Sequence, residues 1–259
     1  MTTHATYVYC ILRSARAPSS ARMPAGVPGA GGAAVLAAAD GLWMVAAEVP
    51  LDVYGPVPLE RALRDLDWVG AVALRHEAVV EHFARRRAIA VVPMKLFTMF
   101  STRERAAAAI RGRRRALERV FRRIAGCEEW GVRVTRQAAV PPGETRKRPA
   151  GRPSGGAAFL AARKRARDEA VNARRAAADA AEEAYRSLAG LACDRRRRDA
   201  GGPGPSPLLD AAFLVRADER ATFRAAARRL ARQVAHHGGI MTLTGPWPPY
   251  NFVMTGGRD

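Results

Sequence analysis

The chain has 259 residues, 48% of them hydrophobic, enough to bury a sizeable core in one large domain or two small ones and too apolar for wholesale disorder. The formal charge of +19 comes almost wholly from arginine, since only Lys95, Lys147 and Lys164 are lysines, and both a solvated surface and a functional basic face fit it. No apolar run approaches the roughly 20 residues that span a bilayer; the stretch 33–49 is cut by Asp40, Gly41 and Glu48.

Tyr7 to Leu12 is β-branched and aromatic and reads as a strand. A loop rich in Pro, Gly, Ser and Ala runs from Ala17 to Gly32. Ala34 to Ala38 and Leu42 to Val49 read as two antiparallel strands, because Asp40-Gly41 between them suits the positive φ of a hairpin turn. Leu59 to Leu66 reads as a short helix and Val69 to Arg86 as a longer one. In the second, Val72, His76, Val79, Val80 and Phe83 share one face. Ala88 to Val92 is a buried-type strand stopped by Pro93. Ser101-Thr102-Arg103-Glu104 has the form of a capping box. One helix is expected behind it to about Ala125, with Leu117, Val120, Phe121 and Ile124 inward and Gly126 ending it. Trp130 to Thr135 alternates as a strand.

Helices alternating with strands after an opening set of strands favour an α+β sandwich, helices on one face of a mainly antiparallel sheet. A ferredoxin-like order fits residues 1–140. Residues 141–156 form a Pro/Gly/Arg-rich linker. The C-terminal domain, 157–259, opens with a long Ala/Arg-rich helix over 157–191, roughly 50 Å in length, expected to be coiled-coil-like and to lean on something. A break spans 194–207. A βαβ unit covers 208–246: strand Leu208 to Val215, helix Glu219 to His236 with Phe223, Ala227, Leu230 and Val234 inward, a Gly238-Gly239 turn, and strand Ile240 to Leu243. So short a unit cannot bury its sheet alone and should pack on the long helix or borrow strands from the first domain. A Pro/Trp tail, 245–259, closes the chain.

Enzymatic readings fail in turn. There is no GxxxxGK(S/T) loop, no GxGxxG after a strand and no nucleophile elbow. Cys10, Cys127 and Cys193 form no CxxC pair. His76 and His82 are six apart on one helix and point different ways, so no metal set forms with Glu77 or Glu81. Glu128 and Glu129 precede Trp130 on an extended chain and face opposite sides. No cofactor, metal or catalytic residue is expected. Met1-Thr2-Thr3-His4 lacks a signal-peptide layout, so the expected location is cytoplasmic. Nucleic-acid binding is the rival reading. Arg111, Arg115, Arg119 and Arg122 would form a basic face on the third helix, but no stacking aromatics interleave with them.

Four stretches together resemble a known family. They are Tyr7-Val8-Tyr9, the run from Val91 to Phe100, the run from Glu129 to Val134, and Leu243-Thr244-Gly245-Pro246-Trp247-Pro248-Pro249-Tyr250-Asn251-Phe252. Asp40 to Trp43 and His76 to Val80 also fit. The chain resembles the GvpL/GvpF family of gas vesicle proteins over nearly its whole length, 141–156 and 194–207 excepted. Three prolines and two aromatics in Gly245 to Tyr250 are the most specific element. In one place the chain departs: where the family carries Arg-Phe-Gly after the strand-ending proline, Lys95-Leu96-Phe97 stands here.

The resemblance implies a two-domain, non-catalytic accessory or minor structural protein of gas vesicle assembly, found in the cytoplasm and on the vesicle. It implies binding to the small hydrophobic shell protein and to other accessory vesicle proteins, with no membrane partner. Trp247 and Tyr250 are candidate aromatic anchors for a partner, and Lys95, Phe97 and Trp130 are further candidates within the family motifs. The competing reading is that Trp247 and its prolines cover the open end of the C-terminal core. The arginine face would dock acidic accessory proteins.

Overall fold

In the computed structural model, residues 3–86, 89–136, 156–198 and 206–253 are described, with side chains from 159 onward in the long helix. The expected linker thus falls almost entirely outside the described residues, as do 199–205 of the expected break. The elements in chain order are β1 His4–Arg13, β2 Ala34–Ala39, β3 Leu42–Pro50, α1 Leu51–Tyr54, α2 Pro56–Ala62 and α3 Leu66–Ala84. Then come β4 Ala90–Pro93, β5 Met99–Phe100, α4 Arg103–Gly112, α5 Arg114–Ile124, β6 Cys127–Arg136 and α6 Gly156–Ala189. The chain continues through β7 Asp194–Arg197, β8 Leu209–Arg216, a 3-10 turn Ala217–Glu219, α7 Arg220–His236, β9 Gly239–Trp247 and α8 Tyr250–Val253.

These elements build two sheets, each with helices against it. In the first the strand order is β2-β3-β1-β4, with β5 also pairing β1, and every pairing is antiparallel. Ala5 to Leu12 of the central strand are all buried, as a near-continuous apolar run in the middle of a sheet should be. Gly41 takes φ 67° in the hairpin between β2 and β3. The inward stripe of α3 is the one that helical spacing predicts: Val72, His76, Val79, Val80 and Phe83 are buried. Each large apolar member contributes about 2 kcal/mol by leaving water.

The second sheet runs β7-β8-β6-β9, with β7 antiparallel to β8. Phe223, Ala227, Leu230 and Val234 of α7, with Ala181, Ala184 and Leu188 of α6, cover Trp130, Val132, Val134 and Phe213. The βαβ segment does acquire a strand from earlier in the chain. β6 lies between β8 and β9, and without it those strands could not form a four-stranded sheet.

Several boundaries differ from the sequence reading. The compact units are Met1–Glu129 with Pro246–Asp259, and Trp130–Gly245. Most of β6 therefore belongs to the second unit, and the tail from Pro246 belongs to the first. The helix expected from Ser101 to Ala125 is two helices that meet at Arg113 (φ −100°, ψ 11°), next to the weak helix former Gly112. Each half then buries its own stripe, Ala106, Ala107 and Ile110 in α4, and Val120, Phe121 and Ile124 in α5, leaving Leu117 half-buried. The N-cap is Thr102, whose hydroxyl accepts from the Arg105 N–H at 3.3 Å, not Ser101. α2 begins at Pro56, since proline suits the first helical turn, and Asp65 caps α3 at Leu66 by accepting from Asp67 N and Trp68 N. Asp194 to Arg197, expected in a break, is an edge strand; its arginines suit a position where a charged row discourages further pairing.

Candidate functional site

The run Gly245 to Tyr250 is the most specific sequence in the chain, and its composition dictates its local structure. Pro246, Pro248 and Pro249 have no N–H to donate, so the ladder of β9 ends there and the chain stiffens. The Phe252 and Val253 N–H groups then donate to the Pro249 carbonyl at 3.0 and 3.2 Å and close the single turn of α8. That turn aims three consecutive side chains at three receptors within the first unit.

Tyr250 joins the core cluster of the first unit, and its hydroxyl donates to Glu77 Oε2 on α3 at 2.5 Å. Asn251 is gripped by Glu129 on β6: its backbone N–H donates to Oε2 at 2.8 Å and its Nδ2 to Oε1 at 2.5 Å. Phe252 is fully buried, with the Arg123 guanidinium 6.0 Å from its ring centroid. A buried carboxylate costs several kcal/mol unless paired or hydrogen-bonded, and Glu129, 3% exposed, meets that demand through both oxygens. Glu77 meets it through one; its Oε1 is buried with no hydrogen-bond partner among the described residues. Burial therefore raises the Glu77 pKa, against the Tyr250 hydrogen bond, which lowers it, and with a further push upward from Glu81. Burial first, then the hydrogen bond to Glu77, raises the Tyr250 phenol.

A second constellation in the same unit fastens the turn after β4. His76 Nε2 lies 3.1 Å from the Met94 carbonyl, which can only accept, so Nε2 carries the proton. Nδ1 then accepts from the Tyr7 hydroxyl at 2.9 Å. The Tyr7 oxygen in turn accepts from the Phe97 N–H at 3.3 Å. Burial pushes the His76 pKa down to about 4, so the ring is neutral at ordinary pH. Phe97 holds φ 61°, a conformation that suits glycine, and lies flat on Trp68 with centroids 5.9 Å apart and planes 9° apart. At the position where the resemblance sets a glycine, this chain thus combines a left-handed backbone with a stacked ring.

The other candidates fall apart spatially. Trp247 is 44% exposed and Lys95 is exposed, whereas Tyr250 and Phe97 pack against the first core. Trp130 is 3% exposed in the second core, with Phe223 beside it and the Arg224 guanidinium 6.0 Å from its ring, so it offers a partner no surface. Arg115, Arg119 and Arg122 are exposed on the side of α5 away from Val120, Phe121 and Ile124, while Arg111 of α4 donates to the Ala38 carbonyl at 3.2 Å. Among the described residues no group of three or more His, Cys, Asp or Glu is placed to hold a metal, and no helix is long and apolar enough to cross a membrane. Glu77 and Glu129 pass in sequence as solvated carboxylates. Nothing near them in the chain names a donor that lies 173 or 122 residues away.

The sequence model of the family described as gas vesicle synthesis protein GvpL/GvpF matches residues 5–254. The chain belongs to the GvpL/GvpF family. Among its relatives, gas vesicle protein L of a Streptomyces species is 29% identical over 262 aligned positions, covering 95% of this chain and 92% of that protein. Gas vesicle protein F2 of Halobacterium salinarum is 30% identical over 177 positions, 68% of this chain and 64% of that protein. The crystal structure of GvpF from an Anabaena species superposes with TM-score 0.67 at 15% identity, covering 99% of this chain and 98% of that one. GvpF from Microcystis aeruginosa superposes with TM-score 0.65, also at 15% identity, over 97% and 99%. At that identity the two structures establish a shared GvpL/GvpF fold, and the family match establishes a gas-vesicle-related role.

Proposed function

We propose that this protein is a non-catalytic accessory factor of gas vesicle assembly, located in the cytoplasm and at the vesicle, that holds the small hydrophobic shell protein and other accessory vesicle proteins. The family match across residues 5–254 is the observation that carries the reading. A shell subunit with exposed strands and an apolar face is an aggregation hazard until it assembles, and a partner needs apolar surface of its own to hold it. The first unit has such surface: Val57 and Leu63 in and just after α2, and Leu66 and Leu74 on α3 at 80% and 74% exposure, are large aliphatics facing solvent. Trp247, Lys95 and the arginines at 111, 115, 119 and 122 are the exposed members of the candidate set, and partner contact is assigned to them. Tyr250 and Phe97 support that surface from within.

Two finer readings of the fold belong with this proposal. The first unit reads as ferredoxin-like, a reading supported by its order β4-β1-β3-β2, with the loop 14–33 where a first helix would stand. The helix α6 reads as coiled-coil-like, supported by the spacing of its apolar residues.

Deleting the gene in a vesicle-forming host and counting vesicles by electron microscopy tests the function. Loss of vesicles, restored by the intact gene, is the expected result; a normal vesicle population refutes it.

A further inference from the structure

From Phe159 to Arg175 every residue of α6 is exposed, although the same helix further along buries Ala177, Ala181, Ala184 and Leu188 in the second core. The last turns of α7, at Arg232 and His236, share a groove with Ala176 and Asp179. Among the described residues nothing buries α6 upstream of that groove, over about 25 Å. A helix of four to five turns without packing is marginal in water, and this one keeps Phe159, Leu160 and Val171 between 58% and 64% exposed.

The exposed half continues the pattern of the buried half. The buried positions Ala177, Ala181, Ala184 and Leu188 step by four, three and four, and a repeat of three, four and four that contains those steps, carried backward along the same face, passes Ala173, Ala170, Ala166, Ala162 and Phe159. Phe159, Ala170 and Ala181 are thus equivalent positions 11 residues apart, and Arg163 falls at the edge of the stripe. An 11-residue repeat runs nearly straight along a helix, so the stripe suits a second, nearly straight helix laid beside it. Its alanines permit close approach, and Phe159 gives the outer end a large apolar anchor.

The charges beside the stripe describe the occupant. Arg163, Arg167 and Arg174 line one border, four and seven residues apart, and no acidic residue falls on that border. Across 159–175, Asp168 and Glu169 are the only acids against five arginines and Lys164. An antiparallel second copy would set this arginine row against itself, and like charges at such spacing repel. A helix with a small apolar stripe and a row of Glu or Asp meets both features.

We propose that the projecting half of α6 is a docking surface for an acidic amphipathic helix of a different protein. The surface takes such a helix whether or not the protein acts in vesicle assembly, so a vesicle count and the binding measurement fail independently.

The probe is a fluorescein-labelled synthetic helix with a Leu/Ala stripe and glutamate borders, titrated with the full chain and read by anisotropy. The same helix with lysine borders and a short DNA duplex are the comparisons. Tight binding of the glutamate helix alone is expected. Arg163→Glu/Arg167→Glu/Arg174→Glu, and separately Ala166→Glu/Ala170→Glu, weaken it roughly 10-fold or more. Lys164→Glu/Arg175→Glu, on the far side of the helix, weakens it less than about 3-fold. All these positions are exposed, and unchanged melting of each variant checks that the fold is intact. Equal binding of the lysine helix or of DNA, insensitivity to the border and stripe variants, or a dimer in sedimentation that Ala166→Glu dissolves each overturns the proposal.

Discussion

The Tyr250 hydroxyl donates to Glu77 Oε2 at 2.5 Å, so the run that marks the family ends inside the first unit as a buried hydrogen bond. Tyr250→Phe removes the one hydrogen-bond partner, among the described residues, of a carboxylate whose other oxygen is buried with none there. The expected cost is about 1–3 kcal/mol in urea unfolding. Trp247→Ala, nearly half exposed, should cost about 1 kcal/mol or less. A larger loss from the tryptophan than from the tyrosine would contradict this assignment of roles.

Glu129 holds Asn251 through both carboxylate oxygens. Asn251→Ala removes the Nδ2 bond and keeps the backbone bond, so it should cost about 1.5–3 kcal/mol, the range for a hydrogen bond to a charged group. Glu129→Ala removes both and should cost more. Limited proteolysis at the C-terminus gives a second readout, because both variants loosen the same turn and should speed cleavage there.

At Phe97 the backbone at φ 61° suits glycine while the ring stacks on Trp68. Phe97→Ala keeps the unfavourable backbone and loses the ring; Phe97→Gly loses the ring and relieves the backbone. Thermal melts should therefore rank wild type above the glycine variant and glycine above alanine, the last two separated by about 1 kcal/mol.

The pH dependence comes from His76, Glu77 and the buried tyrosines. The folded His76 pKa lies at about 4, below its ordinary 6.5, so the unfolded chain binds the proton first as pH falls. Its contribution is complete above about pH 6.5 and is lost as pH falls toward 4, by about 3 kcal/mol in all. Glu77, with its pKa raised, acts in the opposite sense: protonation favours the folded state, and that advantage fades as pH rises through its folded pKa. His76→Gln should flatten the acid limb of a stability–pH curve. On the alkaline side Tyr7, Tyr9, Tyr54 and Tyr250 are all raised by burial, so stability should fall above about pH 10 as the unfolded tyrosines ionise. Tyrosinate absorbance should then appear together with unfolding.

In the second unit a Cβ on Gly131 would come within 2.6 Å of Thr244 Oγ1. Gly131→Ala should destabilise by about 1–3 kcal/mol. Adding Thr244→Ala removes the nearest clashing atom and should recover most of the loss in a double-mutant cycle.

What the sequence by itself determined was local. The stripe from Val72 to Phe83, the stripe from Phe223 to Val234, the buried run of β1 and the turn at Gly41 all stand where periodicity of 3.6 or 2 and turn chemistry put them. The family motifs were equally legible, since a short run of rare residues carries its own signature. Tertiary structure alone decided that β6 joins the second sheet, that the tail from Pro246 belongs to the first unit, and that the arginines at 195–197 sit on an edge strand. It also turned two ordinary-looking carboxylates into the receptors of the tail. Those outcomes rest on partners that lie outside the segment itself, from Phe213 opposite Arg195 to Glu129 and Asn251, 122 residues apart. A segment's own pattern records which of its faces is apolar; it does not record which distant segment supplies the strand or the hydrogen bond that completes it.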